Sequence, residues 1–196
     1  MSKIEAAAAA GIDWIQIREK VLSGRDCALF TREARQRAAK SQANDAPRTR
    51  IVVNDRLDVA LTENADGVHL GEKSLPAAEA KRLLVKRGER SDFIVGVSCH
   101  SLEAARSAAR DGADYLFFGP VFATPSKAAF GEPQGLERLA TVCREISIPV
   151  LAIGGITLEN ASACFAAGAL GIAAIRLFQD AQDVSSLVQS LRKLAR

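Results

Sequence analysis

The stretch IPVLAIGGIT, residues 148–157, carries the clearest fold signal of this sequence. At its centre, Val150-Leu151-Ala152-Ile153 is a short and wholly apolar run, as expected of a strand that is buried on both faces of a parallel sheet. Gly154 and Gly155 follow the run directly and predict a tight strand-to-helix turn. This part of the chain therefore indicates a parallel α/β fold.

Outward from this stretch, short β-branched runs alternate with longer helical segments along the whole chain. Seven runs are predicted to be strands, at residues 12–17, 50–54, 67–70, 94–98, 115–118, 149–153 and 171–175. Eight segments are predicted to be helices, at residues 3–10, 26–42, 58–63, 76–86, 102–111, 136–146, 158–167 and 184–195. Ser101 and Thr157 are predicted to cap the helices that follow them.

Eight helices with seven strands, beginning on a helix, indicate a (β/α)8 TIM barrel that lacks its first strand in this chain. We expect the missing strand to precede Met1, because its absence leaves two strand edges without a partner. A barrel that closes or gapes without this strand is the other interpretation. An open, doubly wound parallel sheet is the alternative. A length of 196 residues suits one domain over residues 1–196.

Composition narrows the function classes. Aromatic residues make up only 5% and the net charge is +3, which disfavours a nucleic-acid partner and favours a small anionic substrate. No apolar run approaches the length that crosses a bilayer, so we expect no membrane partner. The four cysteines form no CxxC pair, so reduced thiols and a cytoplasmic location are expected. The sequence is compatible with a homodimer.

Polar residues cluster where the predicted strands end, which is where a barrel of this kind carries its active site. Gln16, Arg18 and Lys20 alternate, so they point to one side and suit a pyrophosphate. A solvated charge run is an equal alternative for these residues taken alone. Gly154 and Gly155 follow the seventh strand of an eight-strand count, where backbone N–H groups often bind a phosphate.

Three further features have both a chemical and a structural interpretation. Asn54-Asp55 can hold Mg²⁺ through oxygen ligands, or Asp55 can cap the next helix. His100 can move a proton or be a polar strand end, whereas His69 is predicted to be a packed or hydrogen-bonded structural residue. The loop from Thr124 to Gly135 is typical of a mobile lid that carries Lys127.

These stretches resemble the thiamine phosphate synthase and TenI family. The matching sequences, in the order of the family, are QIREK at 16–20, VNDRLDVAL at 53–61, ADGVHLG at 65–71, GVSCHS at 96–101, GADYLFFGPVFATPSK at 112–127 and IPVLAIGGIT at 148–157. The resemblance implies a (β/α)8 barrel and a Mg²⁺-dependent enzyme. That enzyme joins hydroxymethylpyrimidine pyrophosphate to thiazole phosphate and releases pyrophosphate.

The resemblance also implies a role for each matching residue. The pyrophosphate would be held by Arg18, Lys20, Asn54 and Lys127, and the pyrimidine by Gln16 and Ser98. Asp55 would bind Mg²⁺. The thiazole phosphate would be surrounded by Thr124, Ser126, Gly154, Gly155, Ile175 and Arg176.

Two positions depart from the family pattern. Ser74 stands where synthases usually carry a second Mg²⁺-binding aspartate, and the nearby Glu72 is a candidate replacement. Arg176 stands where a small serine is common. The departures keep two alternatives open. One is a metal-independent TenI-like thiazole tautomerase with His100 as the acid/base group, and the other is a non-catalytic protein that binds a phosphate ligand.

Overall fold

The computed structural model describes residues 1–42, 47–88, 92–124 and 132–195. The strands are β1 Trp14–Ile17, β2 Arg50–Asn54, β3 Gly67–Leu70, β4 Ile94–Cys99, β5 Tyr115–Phe118, β6 Val150–Ile153 and β7 Gly171–Ala173. The helices are α1 Ser2–Ala9, α2 Gly24–Ser41, α3 Leu57–Thr62, α4 Ala77–Arg87, α5 Leu102–Arg110, α6 Gly135–Glu145, α7 Ala161–Ala166, α8 Arg176–Gln179 and α9 Val184–Leu194. Every predicted strand and helix is confirmed, with ends that differ by a few residues, and α8 is additional.

Two predicted helix caps have different outcomes. The Ser101 side chain accepts a hydrogen bond from the Ala104 N–H at 3.1 Å and caps α5 as expected. The Thr157 cap is wrong, because α7 begins only at Ala161. The Thr157 N–H instead donates to Asn160 Oδ1 at 2.8 Å, so Thr157 belongs to the turn that precedes the helix.

The seven strands form one parallel sheet in the order β1-β2-β3-β4-β5-β6-β7. A doubly wound sheet would reverse its strand order at a switch point, so the sequential order excludes that alternative. Seven parallel strands curl into a barrel-like wall with helices outside, and β1 and β7 form its two edges. The carboxyl ends of all seven strands consequently lie along one rim.

Helix α1 continues the outer ring of helices between α9 and α2. Ala7 of α1 packs with Val184 and Val188 of α9, and Ala8 packs with Ala34 and Ala38 of α2. Small alanine side chains allow this close approach on both sides of one helix. The ring of helices is therefore continuous across the region where the two sheet edges face each other.

Aspartates at the amino ends of two strands hold the neighbouring strands in register. Asp66 precedes β3, and its Oδ2 accepts the Ile51 N–H of β2 at 2.8 Å. Asp114 precedes β5, and its Oδ2 accepts the Val95 N–H of β4 at 2.6 Å. Because each carboxylate replaces a missing ladder partner, this end of the barrel is fixed by its own side chains.

None of the helices in the described part of the chain combines the length and the apolar character that crossing a membrane requires.

Candidate active site at the carboxyl ends of the strands

The ends of β1 and β2 bring two predicted site residues together. Gln16 Nε2 donates to Asn54 Oδ1 at 3.0 Å, and both side chains are half-buried. This contact fixes the orientation of both amides, because each has one donor and one acceptor side. Gln16 and Asn54 thus lie together at the carboxyl ends of β1 and β2.

Arg18 and Lys20 follow β1 and are exposed. Among the described residues, neither forms an ion pair, in contrast to other arginines of the chain such as Arg32 and Arg37. Two cations that form no ion pair in this part of the structure can each turn towards an anionic ligand.

Asp55 has a left-handed backbone conformation, with φ of 61°. Asn54 Nδ2 donates to its Oδ2 at 2.6 Å, while the Gly71 N–H at 3.3 Å and the Ser74 hydroxyl donate to its Oδ1. The alternative that Asp55 caps the next helix is wrong, because Arg56 is the N-cap residue of α3 and no side chain caps it. A strained, exposed carboxylate held by three donors is typical of a functional site.

Ser74 therefore contacts Asp55 through its hydroxyl, at the position where a second carboxylate was expected. No cluster of three or more His, Cys, Asp and Glu side chains that could ligate a metal occurs within the described residues. The donor set nevertheless fits Mg²⁺, because this ion is usually held by one or two carboxylates together with substrate phosphates and water. Asp55 would supply the single protein carboxylate.

Glu72 lies beside His100 rather than among the contacts of Asp55. His100 Nδ1 donates to the Gly119 carbonyl oxygen, and His100 Nε2 lies 4.0 Å from Glu72 Oε1. The carbonyl partner holds the proton on Nδ1, so Nε2 carries the lone pair in the neutral ring. The imidazole can therefore accept a proton on the side that faces Glu72.

Ser98 belongs to a buried chain of hydrogen bonds with two residues that the sequence analysis did not assign to the site. His69 Nε2 lies 2.8 Å from Ser98 Oγ, and His69 Nδ1 lies 3.0 Å from the Tyr115 hydroxyl. His69 is only 2% exposed, and this burial lowers its pKa from 6.5 to about 3, so its ring is neutral at pH 7. His69 is packed and hydrogen-bonded, as predicted, and one of its partners is the predicted site residue Ser98.

The turn after β6 requires glycine at two consecutive positions. Gly154 and Gly155 have φ of 95° and 66°. A Cβ at Gly154 would lie 2.5 Å from Pro120 Cβ, and one at Gly155 would lie 2.6 Å from the Ala123 carbonyl oxygen. The backbone of this turn is thus packed directly against the segment that follows β5.

The same segment contacts the end of β7. Arg176 Nη2 donates to Thr124 Oγ1 at 3.3 Å, and the side chains of Ile175 and Arg176 are exposed. Gly154, Gly155, Thr124 and Arg176 accordingly lie on the part of the rim that follows β5, β6 and β7. Ser126 and Lys127, predicted for the lid, lie outside the described residues.

Comparison with known proteins finds relatives that are described as thiamine phosphate synthases. The family model described as thiamine monophosphate synthase matches residues 1–178. A putative thiamine-phosphate synthase of Geobacter sulfurreducens is 45% identical over 89% of this chain and 77% of its own length. A thiamine-phosphate synthase of Chloroflexus aurantiacus is 42% identical over 97% of this chain and 83% of its own length.

Among solved structures, thiamine phosphate pyrophosphorylase from Pyrococcus furiosus superposes with a TM-score of 0.83 at 35% sequence identity. The match covers 99% of this chain and 88% of that structure. A 3-hexulose-6-phosphate synthase also superposes, with a TM-score of 0.70, but at 16% identity it supports the barrel fold alone.

Proposed function

The chain belongs to the thiamine monophosphate synthase family, and on that premise we propose that it couples hydroxymethylpyrimidine pyrophosphate to thiazole phosphate. Thiamine phosphate and pyrophosphate are the products. The observation that carries this proposal is a pair of cations, Arg18 and Lys20, that form no ion pair with any described residue, at the same end of the barrel as Gln16, Asn54 and Asp55. The proposed partners are thus small phosphorylated molecules, and the cytoplasm is the proposed location.

Pyrophosphate departure is the step that needs the positive charge. The bond between the pyrimidine methylene carbon and the pyrophosphate oxygen breaks, and its electron pair stays on that oxygen. Arg18 and Lys20 stabilise the negative charge that develops there, and Lys127 of the lid segment is proposed to assist. The thiazole nitrogen then donates its lone pair to the pyrimidine methylene carbon.

Asp55 is the residue proposed to hold Mg²⁺, together with oxygens of the pyrophosphate. When bound, the ion supplies further neutralisation of the leaving group. The three donors to Asp55 keep its carboxylate directed at one place on the rim, which limits the reorganisation that binding requires. Ser74 thus acts on the site through Asp55.

The two rings are proposed to be bound by different parts of the rim. Gln16 and Ser98 contact the pyrimidine, since both present polar atoms at the inner edge of the site. The thiazole phosphate is bound by the glycine turn and the segments around it, namely Thr124, Ser126, Gly154, Gly155, Ile175 and Arg176. In this proposal the thiazole nitrogen approaches the methylene carbon from the side away from the departing pyrophosphate.

A coupled assay tests the proposal. Purified protein is incubated with both substrates, with Mg²⁺ or with excess chelator, and thiamine phosphate and pyrophosphate are quantified. We expect equal amounts of both products, only with the metal. No product from folded protein would contradict the proposal. In that case, conversion of a thiazole carboxylate phosphate between its tautomers, abolished by His100→Asn, would identify the tautomerase instead.

Arg82→Ala is the matched control for this assay. Arg82 is an exposed arginine on the outer helix α4, where it pairs with Glu79. Its replacement removes one positive charge from the protein, as Arg18→Ala does, but at a distance from the rim. Full activity of Arg82→Ala shows that a loss in Arg18→Ala arises from the site and not from net charge.

A further inference from the structure

A chain of three hydrogen-bonding side chains crosses the interior of the barrel directly below the proposed pyrimidine site. Ser98 lies at the rim, and His69 Nε2 is 2.8 Å from its Oγ. Below it, the Tyr115 hydroxyl lies 3.0 Å from His69 Nδ1. His69 and Tyr115 are almost fully buried, so they do not reach a ligand themselves.

The surrounding packing fixes both buried rings. The His69 ring stacks on Phe117 with ring centres 4.2 Å apart, and the Tyr115 ring contacts Trp14 edge-on at 4.5 Å. Tyr115 reaches His69 only because Gly96 has no side chain, since a Cβ there would overlap the tyrosine ring. Neither ring can turn away from its hydrogen-bond partner without disrupting the packing inside the barrel.

The chemistry of the three groups sets the direction of the hydrogen bonds. A phenol is a stronger donor than a neutral imidazole N–H, and an imidazole nitrogen is a stronger acceptor than a phenol oxygen. Tyr115 therefore donates to Nδ1 of His69, which places the ring hydrogen on Nε2. Nε2–H then donates to Ser98 Oγ and leaves the Ser98 hydroxyl hydrogen free for another acceptor.

We propose that His69 and Tyr115 are positioning residues that aim the Ser98 hydroxyl hydrogen at a ring nitrogen of the bound pyrimidine. The inference rests on the proposed function, because contact between Ser98 and the pyrimidine is part of that proposal. A serine hydroxyl alone can rotate among several staggered positions. Fixing its oxygen as the acceptor for His69 restricts that choice before the substrate binds.

Binding measured by calorimetry on three variants tests the inference. The ligand is hydroxymethylpyrimidine pyrophosphate with Mg²⁺ and without the thiazole, so that no coupling occurs. The variants are Tyr115→Phe, which removes only the hydroxyl, Ser98→Ala, and the double variant. Inorganic pyrophosphate with Mg²⁺ is titrated into the same proteins as the control ligand, because it lacks the ring.

We expect Tyr115→Phe to raise the Kd for the pyrimidine pyrophosphate about three- to tenfold, as for loss of one hydrogen bond. Ser98→Ala should raise the same Kd at least as much, and Tyr115→Phe should add nothing in the Ser98→Ala background. Affinity for inorganic pyrophosphate should stay within about twofold in all three proteins, since the chain does not touch the cations.

Three results would overturn the inference: no change in Tyr115→Phe, an equal loss of affinity for inorganic pyrophosphate, or a full Tyr115→Phe effect in the Ser98→Ala background. Turnover of the wild-type protein is measured separately. If the wild type turns over but the variants show no loss of affinity specific to the pyrimidine ligand, the positioning role is wrong and the coupling reaction stands. If the variants show that loss but the wild type does not turn over, the coupling reaction is wrong and the positioning role stands.

Discussion

Acidic and basic side chains lie at both ends of the strands, but their contacts differ between the two ends. At the amino ends, Asp66 is buried, forms an ion pair with Arg48 and accepts a hydrogen bond from the Ile51 N–H. At the carboxyl ends, Asp55 is exposed and strained, and Arg18 and Lys20 have no carboxylate partner among the described residues. Ion pairing at the amino ends therefore stabilises the fold, whereas the charged side chains at the carboxyl ends are available to bind a ligand.

The largest expected effect concerns the carboxyl ends. Arg18→Ala removes one cation from the proposed leaving-group site, and we expect kcat/KM for coupling to fall about 100- to 1,000-fold. The unfolding midpoint in urea should not change, because Arg18 is exposed and contributes no ion pair within the described residues. Steady-state kinetics and urea unfolding of the same preparation check both statements. A lowered midpoint would assign Arg18 to the fold.

At the amino ends of the strands we expect a substitution to lower stability and to leave kcat unchanged. Asp66→Ala removes the acceptor of the Ile51 N–H and the partner of Arg48, and should lower the free energy of unfolding by about 3 kcal/mol. Asp66→Asn keeps an acceptor for the N–H and should cost about 1 kcal/mol. At a temperature where both variants are folded, kcat should equal that of the wild type. A large loss of kcat would break the distinction between the two ends.

The buried His69 gives a prediction for pH. Burial lowers its pKa to about 3 in the folded chain, whereas the ordinary value of 6.5 applies to the unfolded chain. Below pH 6.5 the unfolded chain therefore binds a proton that the folded chain does not. The free energy of unfolding should therefore fall by about 2 kcal/mol between pH 7 and pH 5 because of this one group. His69→Gln should lack that part of the pH dependence. Identical pH dependence in both proteins would show that folded His69 takes up a proton.

Arg176 is expected to give the smallest effect. Its guanidinium already donates to Thr124, a neutral partner, at 3.3 Å. Arg176→Ser should raise the KM for thiazole phosphate about threefold, as for a weak exposed contact, and leave the KM for pyrimidine pyrophosphate unchanged. Initial rates with each substrate varied in turn measure both constants. An increase in the second constant would place Arg176 among the pyrophosphate cations.

Local sequence patterns predicted the strands well, because buried parallel strands are short apolar runs and Val150-Leu151-Ala152-Ile153 needs no distant contact to be recognised. The alternation of Gln16, Arg18 and Lys20 predicted a common direction, but β1 ends at Ile17, so the strand period does not extend to Arg18 and Lys20. Helix α8 was missed because its four residues are too short to show a helical period.

The parts of the site that the sequence did not predict depend on contacts between distant residues. Ser98, His69 and Tyr115 come from three different strands, and only the strand register brings them together. The missing side chain at Gly96, opposite Tyr115, was the one available signal. A local pattern could not exclude a capping role for Asp55 either, because its partner Ser74 lies 19 positions further along the chain.

The most direct test of the account is an NMR titration of ¹⁵N-labelled protein with pyrophosphate and Mg²⁺. We predict that the amide shifts concentrate at the carboxyl ends of the strands, at residues 16–20, Asn54 and Asp55. The amide signals of Asp66 and Asp114, at the amino ends of the strands, should not shift. Shifts concentrated at the amino ends, or in the groove between α1 and α9 that Lys3 and Asp183 line, would contradict the account.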